Sequence, residues 1–205
     1  TATLNLTLSP TGEISGTGSV DLVLAGTTRT FNLVVDAQGN ITGTCAASVQ
    51  LGGRTIYDLA LSRVNGQTAL QGRINLAGTG VLFALSVDGS GNLTGSYTGA
   101  VNLAGRQVEA TFRLGNDGTV TCTASVPVRV AGYDRQFRLT VDPAGNVTGT
   151  YDGSLTVGGR PISSVHLELT ATGISGTGEI TLAGAKRTFH LAVDTSGNVT
   201  GSYGG

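Results

Sequence analysis

The sequence predicts an all-β fold: an antiparallel up-and-down meander of about sixteen strands, made of eight repeats of about 26 residues and shaped as a flattened barrel or two-layer sandwich. Three observations predict it: a recurring turn, strict alternation of apolar and polar residues, and short glycine-based turns at the other strand ends.

The turn is the clearest signal. Val35-Asp36-Ala37-Gln38-Gly39-Asn40-Ile41-Thr42-Gly43 returns from Val87, Val141 and Val193, so Asp36, Asp88, Asp142 and Asp194 follow one another at spacings of 52, 54 and 52 residues. A degenerate copy lies halfway between, at Pro10-Thr11-Gly12-Glu13, Asn65-Gly66-Gln67, Asn116-Asp117-Gly118-Thr119 and Ala171-Thr172-Gly173, which halves the period. The units run approximately 4–30, 31–58, 59–82, 83–110, 111–136, 137–165, 166–188 and 189–205, in a single repeat domain, 1–205. In the Asp-x-x-Gly-Asn turn the carboxylate can accept from the backbone two residues on, and glycine supplies the positive φ of a short hairpin.

Between turns the period is two. Phe31, Leu33 and Val35 share one face; the next run puts Ile41, Gly43, Cys45, Ala47, Val49 and Leu51 inward, with Thr42, Thr44, Ala46, Ser48 and Gln50 opposite. The second turn type, Gly52-Gly53-Arg54, Ala104-Gly105-Arg106 or Gly158-Gly159-Arg160, is also short, so consecutive strands pair antiparallel. Sixteen strands in a round barrel would span roughly 30 Å, too wide for Val, Leu and Tyr to fill, whereas layers about 10 Å apart can be filled. Tyr97 and Tyr151, flanked on the inward row by Gly95, Gly99, Gly149 and Gly153, supply bumps and hollows for a narrow core.

Composition excludes several classes. A net charge of −1 gives no field to attract nucleic acid or an anionic membrane. No apolar run is long enough to cross a bilayer as a helix. The chain opens at Thr1 without Met or a basic–apolar leader, as a mature secreted chain would, so the expected location is extracellular or at the cell surface. Charged residues are only 12% of the chain, which favours self-association. Cys45 and Cys122 fall at inward positions, as buried thiols or alternatively a disulfide.

No catalytic apparatus is predicted, and no cofactor or metal; the chain is not expected to be an enzyme. His166 and His190 point outward and lie in no cluster with ligand spacing. There is no nucleophile elbow and no phosphate-binding loop. Each Asp turn offers one carboxylate where calcium takes six to eight oxygens, so the Asp residues read as turn formers. Asn5, Asn40, Asn92, Asn146 and Asn198 each open an Asn-x-Thr glycosylation pattern, four of them being one duplicated feature. Gly145–Tyr151 resembles the Thr-Gly-Thr-Tyr strand of avidin-type biotin-binding barrels over that one strand, but the chain has no Trp for such a pocket and no ligand follows from the likeness.

The charge layout is the most specific inference. On the meander one rim carries Glu13, Asp36, Asp88, Asp117, Asp142 and Asp194, opposed there by Arg63; the other carries Arg29, Arg54, Arg106, Arg135, Arg160, Lys186 and Arg187, with Asp134 the chief exception. Rims of opposite charge, with open edge strands, predict stacking of copies. The expected function is a secreted structural protein, a self-assembling subunit of a fibre, sheath or surface layer whose partner is another copy of itself. The alternatives are a glycan- or protein-binding surface module and a sixteen-stranded outer-membrane barrel.

Overall fold

In a computed structural model the described residues are 2–122 and 124–204, and their regular structure is entirely strand. Thr1, on which the secretion reading turns, Thr123, and Gly205, which ends the last repeat, lie outside them. The strands are β1 (Ala2–Leu8), β2 (Ile14–Leu24), β3 (Thr27–Val35), β4 (Ile41–Cys45), β5 (Val49–Leu51), β6 (Arg54–Val64), β7 (Gln67–Leu76), β8 (Thr79–Val87) and β9 (Leu93–Leu103). They continue as β10 (Arg106–Leu114), β11 (Val120–Cys122), β12 (Ser125–Val130), β13 (Tyr133–Val141), β14 (Val147–Val157), β15 (Arg160–Leu169), β16 (Ile174–Leu182), β17 (Ala185–Val193) and β18 (Val199–Ser202). One sheet takes the order β1-β2-β3-β4-β6-β7-β8-β9-β10-β11, with β5 on β6; a second runs from β12 to β18. Neighbours in sequence are neighbours in each sheet, the up-and-down meander that the short turns require.

Among the described residues there are eighteen strands where about sixteen were expected, because two runs are each divided. The run from Ile41 to Leu51 bends at Ala46 and Ala47, splitting into β4 and β5. Ala47, expected inward, is exposed, and alternation resumes at Val49. Cys45 Sγ lies 3.5 Å from the Ala47 carbonyl at this bend. The second divided run, β11 and β12, lies where the chain passes from the first sheet to the second.

The core is built by a repeated fit of leucine over glycine. Leu33 faces Gly43 across the β3–β4 pair, Leu139 faces Gly149 across β13–β14, and Leu191 faces Gly201 across β17–β18. A Cβ added at Gly43, Gly95, Gly149 or Gly201 would lie 2.6, 2.8, 3.1 or 3.1 Å from a methyl of Leu33, Leu85, Leu139 or Leu191. The missing side chain is the hollow that receives the leucine. Beside it a Phe meets a Tyr in the following strand or, at Tyr203, just past it: Phe83–Tyr97, Phe137–Tyr151 and Phe189–Tyr203 have ring centroids 5.9, 5.7 and 5.6 Å apart. Phe31, Phe83, Phe112 and Phe137 are wholly buried. Cys45 and Cys122 are buried free thiols.

The chain divides into two compact units, one of Thr1–Asn75, Thr79–Tyr97 and Arg113–Val120, the other of Leu76–Gly78, Thr98–Phe112 and Thr121–Gly205. Each unit curls. In the first, the turn between β2 and β3 meets the turn between β8 and β9 through Ala25 N–H to Gly91 O, 2.9 Å. These turns lie at opposite ends of their strands. The sheet has therefore advanced one strand length while crossing five sequence runs. Five strand spacings across and one strand length along describe a circumference of roughly 40 Å and a diameter of roughly 13 Å. That is close to the spacing of two packed layers, so curling supplies the narrow, fillable core that a wide barrel lacks.

Candidate functional site

The Arg-bearing rim is made of two-residue hairpins with both central residues at positive φ: Ala25-Gly26 (49°, 74°), Gly52-Gly53 (54°, 80°), Ala77-Gly78 (50°, 76°) and Gly158-Gly159 (55°, 78°). Ala104, Ala131 and Ala183 take the same place with φ of 52°, 51° and 49°. These are type I′ turns, matched to the twist of the flanking strands. Alanine is a strained choice there, because its Cβ crowds the following carbonyl by about 1–2 kcal/mol.

What the alanines do becomes clear from their amides. Ala25, Ala77, Ala104 and Ala131 donate their backbone N–H to the carbonyls of Gly91, Gly145, Ala171 and Gly197, each 66 to 68 residues further along, at 2.8 to 3.1 Å. The first contact lies within the first unit and the other three within the second. A fifth contact, in the first unit, uses glycine and arginine: Arg54 Nε donates to the Gly118 carbonyl at 2.9 Å. A Cβ on Gly52 would sit 1.8 Å from the Asp117 carbonyl oxygen, so this closest approach requires glycine. Arg54, placed by its sequence on a solvated rim, is 6% exposed. Arg106 donates through Nη2 to the Asp194 carbonyl. The two rims thus meet within each unit.

The acidic turns are rigid acceptors. Asp36 Oδ1 accepts from the N–H of Gln38 and Asn40 at 3.0 and 2.8 Å, and Oδ2 accepts from Asn40 Nδ2 at 3.0 Å. Asp88 and Asp194 repeat the full set with their own Asn partners, and Asp142 accepts likewise from Asn146. The Asn side chain first, then the backbone amides, hold these carboxyls below the usual Asp range. Asp117 is held low by the hydroxyl and amide of Thr119. The same geometry occupies the acceptor nitrogen of four of the five glycosylation patterns; Asn5 lies instead on exposed β1.

Among the described residues, not every turn meets a turn of the other kind. Gly91, Gly118, Gly145 and Gly197 in the docked acidic turns are buried, whereas Gly12, Gly39 and Gly66 in the first three are exposed. A Cβ on Gly12, Gly39 or Gly66 would meet nothing within 4 Å, and the same holds for Gly158, the counterpart of the tightly covered Gly52. Ala25, Ala77, Ala104 and Ala131 are half-buried while Ala183 is exposed. Arg29, Arg106 and Arg135 are half-buried; Arg160, Lys186 and Arg187 are exposed. Lys186 is held by Glu179 at 3.0 Å, so part of the late basic rim is neutralised locally, which the sequence did not indicate. An open cleft of about 600 Å³ lies against the undocked turn, lined by Gly158, Gly159, Arg160, Glu179, Ile180 and Thr181 among others.

His166 and His190 are both exposed, as their alternation requires. His166 Nδ1 lies 2.6 Å from Asp152 Oδ1 across β14–β15, a solvent-facing cross-strand pair that sequence spacing did not reveal. Among the described residues no three His, Cys, Asp or Glu side chains converge to hold a metal.

No protein-family model, curated protein or solved structure matches this chain.

Proposed function

We propose that this protein is a structural β-repeat subunit that self-assembles into an extracellular fibre, sheath or surface layer. One observation carries the reading: the rims dock on each other five times, and turns of both kinds are left over, acidic ones from the first three and basic ones from the last two. Surfaces that already fit each other within a unit fit each other between copies. The edge strands support it, because among the described residues β1 and β18 each stand at the edge of a sheet, where one row of backbone groups has no strand beside it. The low charge count removes the repulsion that keeps many proteins apart. Sedimentation velocity and negative-stain microscopy over rising concentration test it. Growth into filaments or sheets is expected; a single monomer boundary at every concentration would contradict it.

A second reading, a glycan- or protein-binding module, draws on the cleft beside Arg160 and Glu179, whose wall also includes Thr156 and Thr181. Its test is a glycan array, with arrayed hits expected on that reading. An outer-membrane barrel would need apolar outward rows, yet β3 turns Thr28, Thr30 and Asn32 outward and Phe31 and Leu33 inward.

A further inference from the structure

We infer that copies add head to tail: β18 of one copy pairs with β1 of the next, and the two undocked basic turns of the first seat on acidic turns of the second. This inference rests on the reading of the chain as an assembling subunit and names the surface that does it.

The second unit already contains the missing arrangement. β13 and β14 carry Phe137 against Tyr151, with Arg135 5.9 Å from the Tyr151 ring. The strand that follows, β15, buries Val165, Leu167 and Leu169 at 2%, 0% and 0% exposure. β17 and β18 repeat the first part, with Phe189 against Tyr203 and Arg187 5.9 Å from the Tyr203 ring. Among the described residues β18 is the edge of that sheet. β1 supplies the strand that would come next. Its Leu4, Leu6 and Leu8 stand where Val165, Leu167 and Leu169 stand in β15: Leu8 pairs with Ile14 as Leu169 pairs with Ile174, and Leu6 with Gly16 as Leu167 with Gly176. Those three leucines are 44%, 56% and 72% exposed. β18 runs from the acidic rim to the basic one and β1 runs back, so the new pair is antiparallel.

The turns give the same register independently. Every docked basic turn meets the third acidic turn that follows it in the chain, as Ala25 meets Gly91, and continuing that count past β18 brings the Gly158-Gly159 turn to Ser9–Glu13 and Ala183 to Gly39 of the next copy. The chemistry agrees. Gly158-Gly159-Arg160 repeats Gly52-Gly53-Arg54, and both following strands carry a positive-φ residue at the same place, Asp58 (50°) and Ser164 (48°). The receiving turns also match: Ser9 N–H to Glu13 O and Gly12 N–H to Ser9 O reproduce Gly115 to Thr119 and Gly118 to Gly115. Ala183 keeps the strained φ of 49° that its sisters use to aim an N–H at such a glycine carbonyl. The cleft beside Arg160 is the space that the incoming turn fills.

Two variants block opposite ends. Leu6→Lys charges the exposed β1 row. Gly158→Asn adds a side chain where Gly52 tolerates none, yet Asn-Gly is a favoured type I′ pair and nothing lies within 4 Å, so the fold is kept. Gly105→Asn, at an equally open turn glycine, is the control. Each blocked variant alone is expected to weaken association on the order of tenfold or more, with the control assembling as the parent does. Mixed in equal amounts, the blocked variants form a dimer and nothing larger, because each retains the end the other has lost. If the parent assembles and the blocked variants do so equally well, or their mixture forms no dimer, the head-to-tail contact is overturned while self-assembly stands. If the parent never associates, self-assembly falls, and this contact with it.

Discussion

The backbone N–H of Ala25 donates to the carbonyl of Gly91 at 2.9 Å, joining opposite ends of strands that lie five runs apart in one sheet. Gly91 is buried by this contact, with Val23 against it, while Gly39 in the sister turn stands open. Substituting alanine at either glycine incurs the same positive-φ strain, at φ of 82° and 78°. Only Gly91→Ala also meets Val23 Cγ1, 2.9 Å from the new Cβ. Gly91→Ala is expected to lose about 1 kcal/mol more stability than Gly39→Ala, read as the difference in urea midpoints at constant slope.

Arg54 and Arg160 open equivalent strands but have different surroundings. Arg54→Met strips a buried carbonyl of its donor and is expected to cost about 1–3 kcal/mol. Arg160→Met in the dilute monomer is expected to change stability by less than about 0.5 kcal/mol, since Arg160 is exposed. Chemical denaturation of both variants checks the pair; equal losses would mean that the Gly118 contact contributes nothing.

The four Asp turns make stability depend on pH with a definite sign. Their carboxyls are held below the ordinary value of 3.8 in the folded chain. A depressed folded pKa means the unfolded chain binds protons first, so the contribution is complete above about pH 4 and is lost as pH falls through the folded values. Thermal melts from pH 6 to pH 2 are expected to fall over that window. The combined Asp36→Asn, Asp88→Asn, Asp142→Asn and Asp194→Asn variant is expected to show a flatter profile.

Glycosylation follows from the same hydrogen bonds. Asn40, Asn92, Asn146 and Asn198 each commit Nδ2 to an Asp carboxylate at 2.7 to 3.0 Å. In a glycosylating host, peptide mass spectrometry is expected to find Asn5 modified more fully than these four.

Strands and turn positions were legible in the sequence because side chains carry them: alternation marks the faces, and Asp-x-x-Gly-Asn marks one kind of turn. The curl was not legible, because backbone amides and carbonyls make its contacts and those are common to all residues. One signal was present. Alanine at 25, 77, 104, 131 and 183 holds a turn position that asparagine or glycine would take without strain. The break at Ala46–Ala47 escaped notice because two alanines satisfy either face. The burial of Arg54 escaped because a rim arginine reads as solvated until the covering turn, 64 residues away, is in place.

Amide hydrogen exchange of the alanine turns, followed by NMR, tests the docking of rim on rim most directly. In the dilute monomer the N–H groups of Ala25, Ala77, Ala104 and Ala131 should be protected and that of Ala183 should exchange freely, becoming protected as concentration rises. Rapid exchange at the first four, or equal protection of Ala183 in the monomer, would contradict the account.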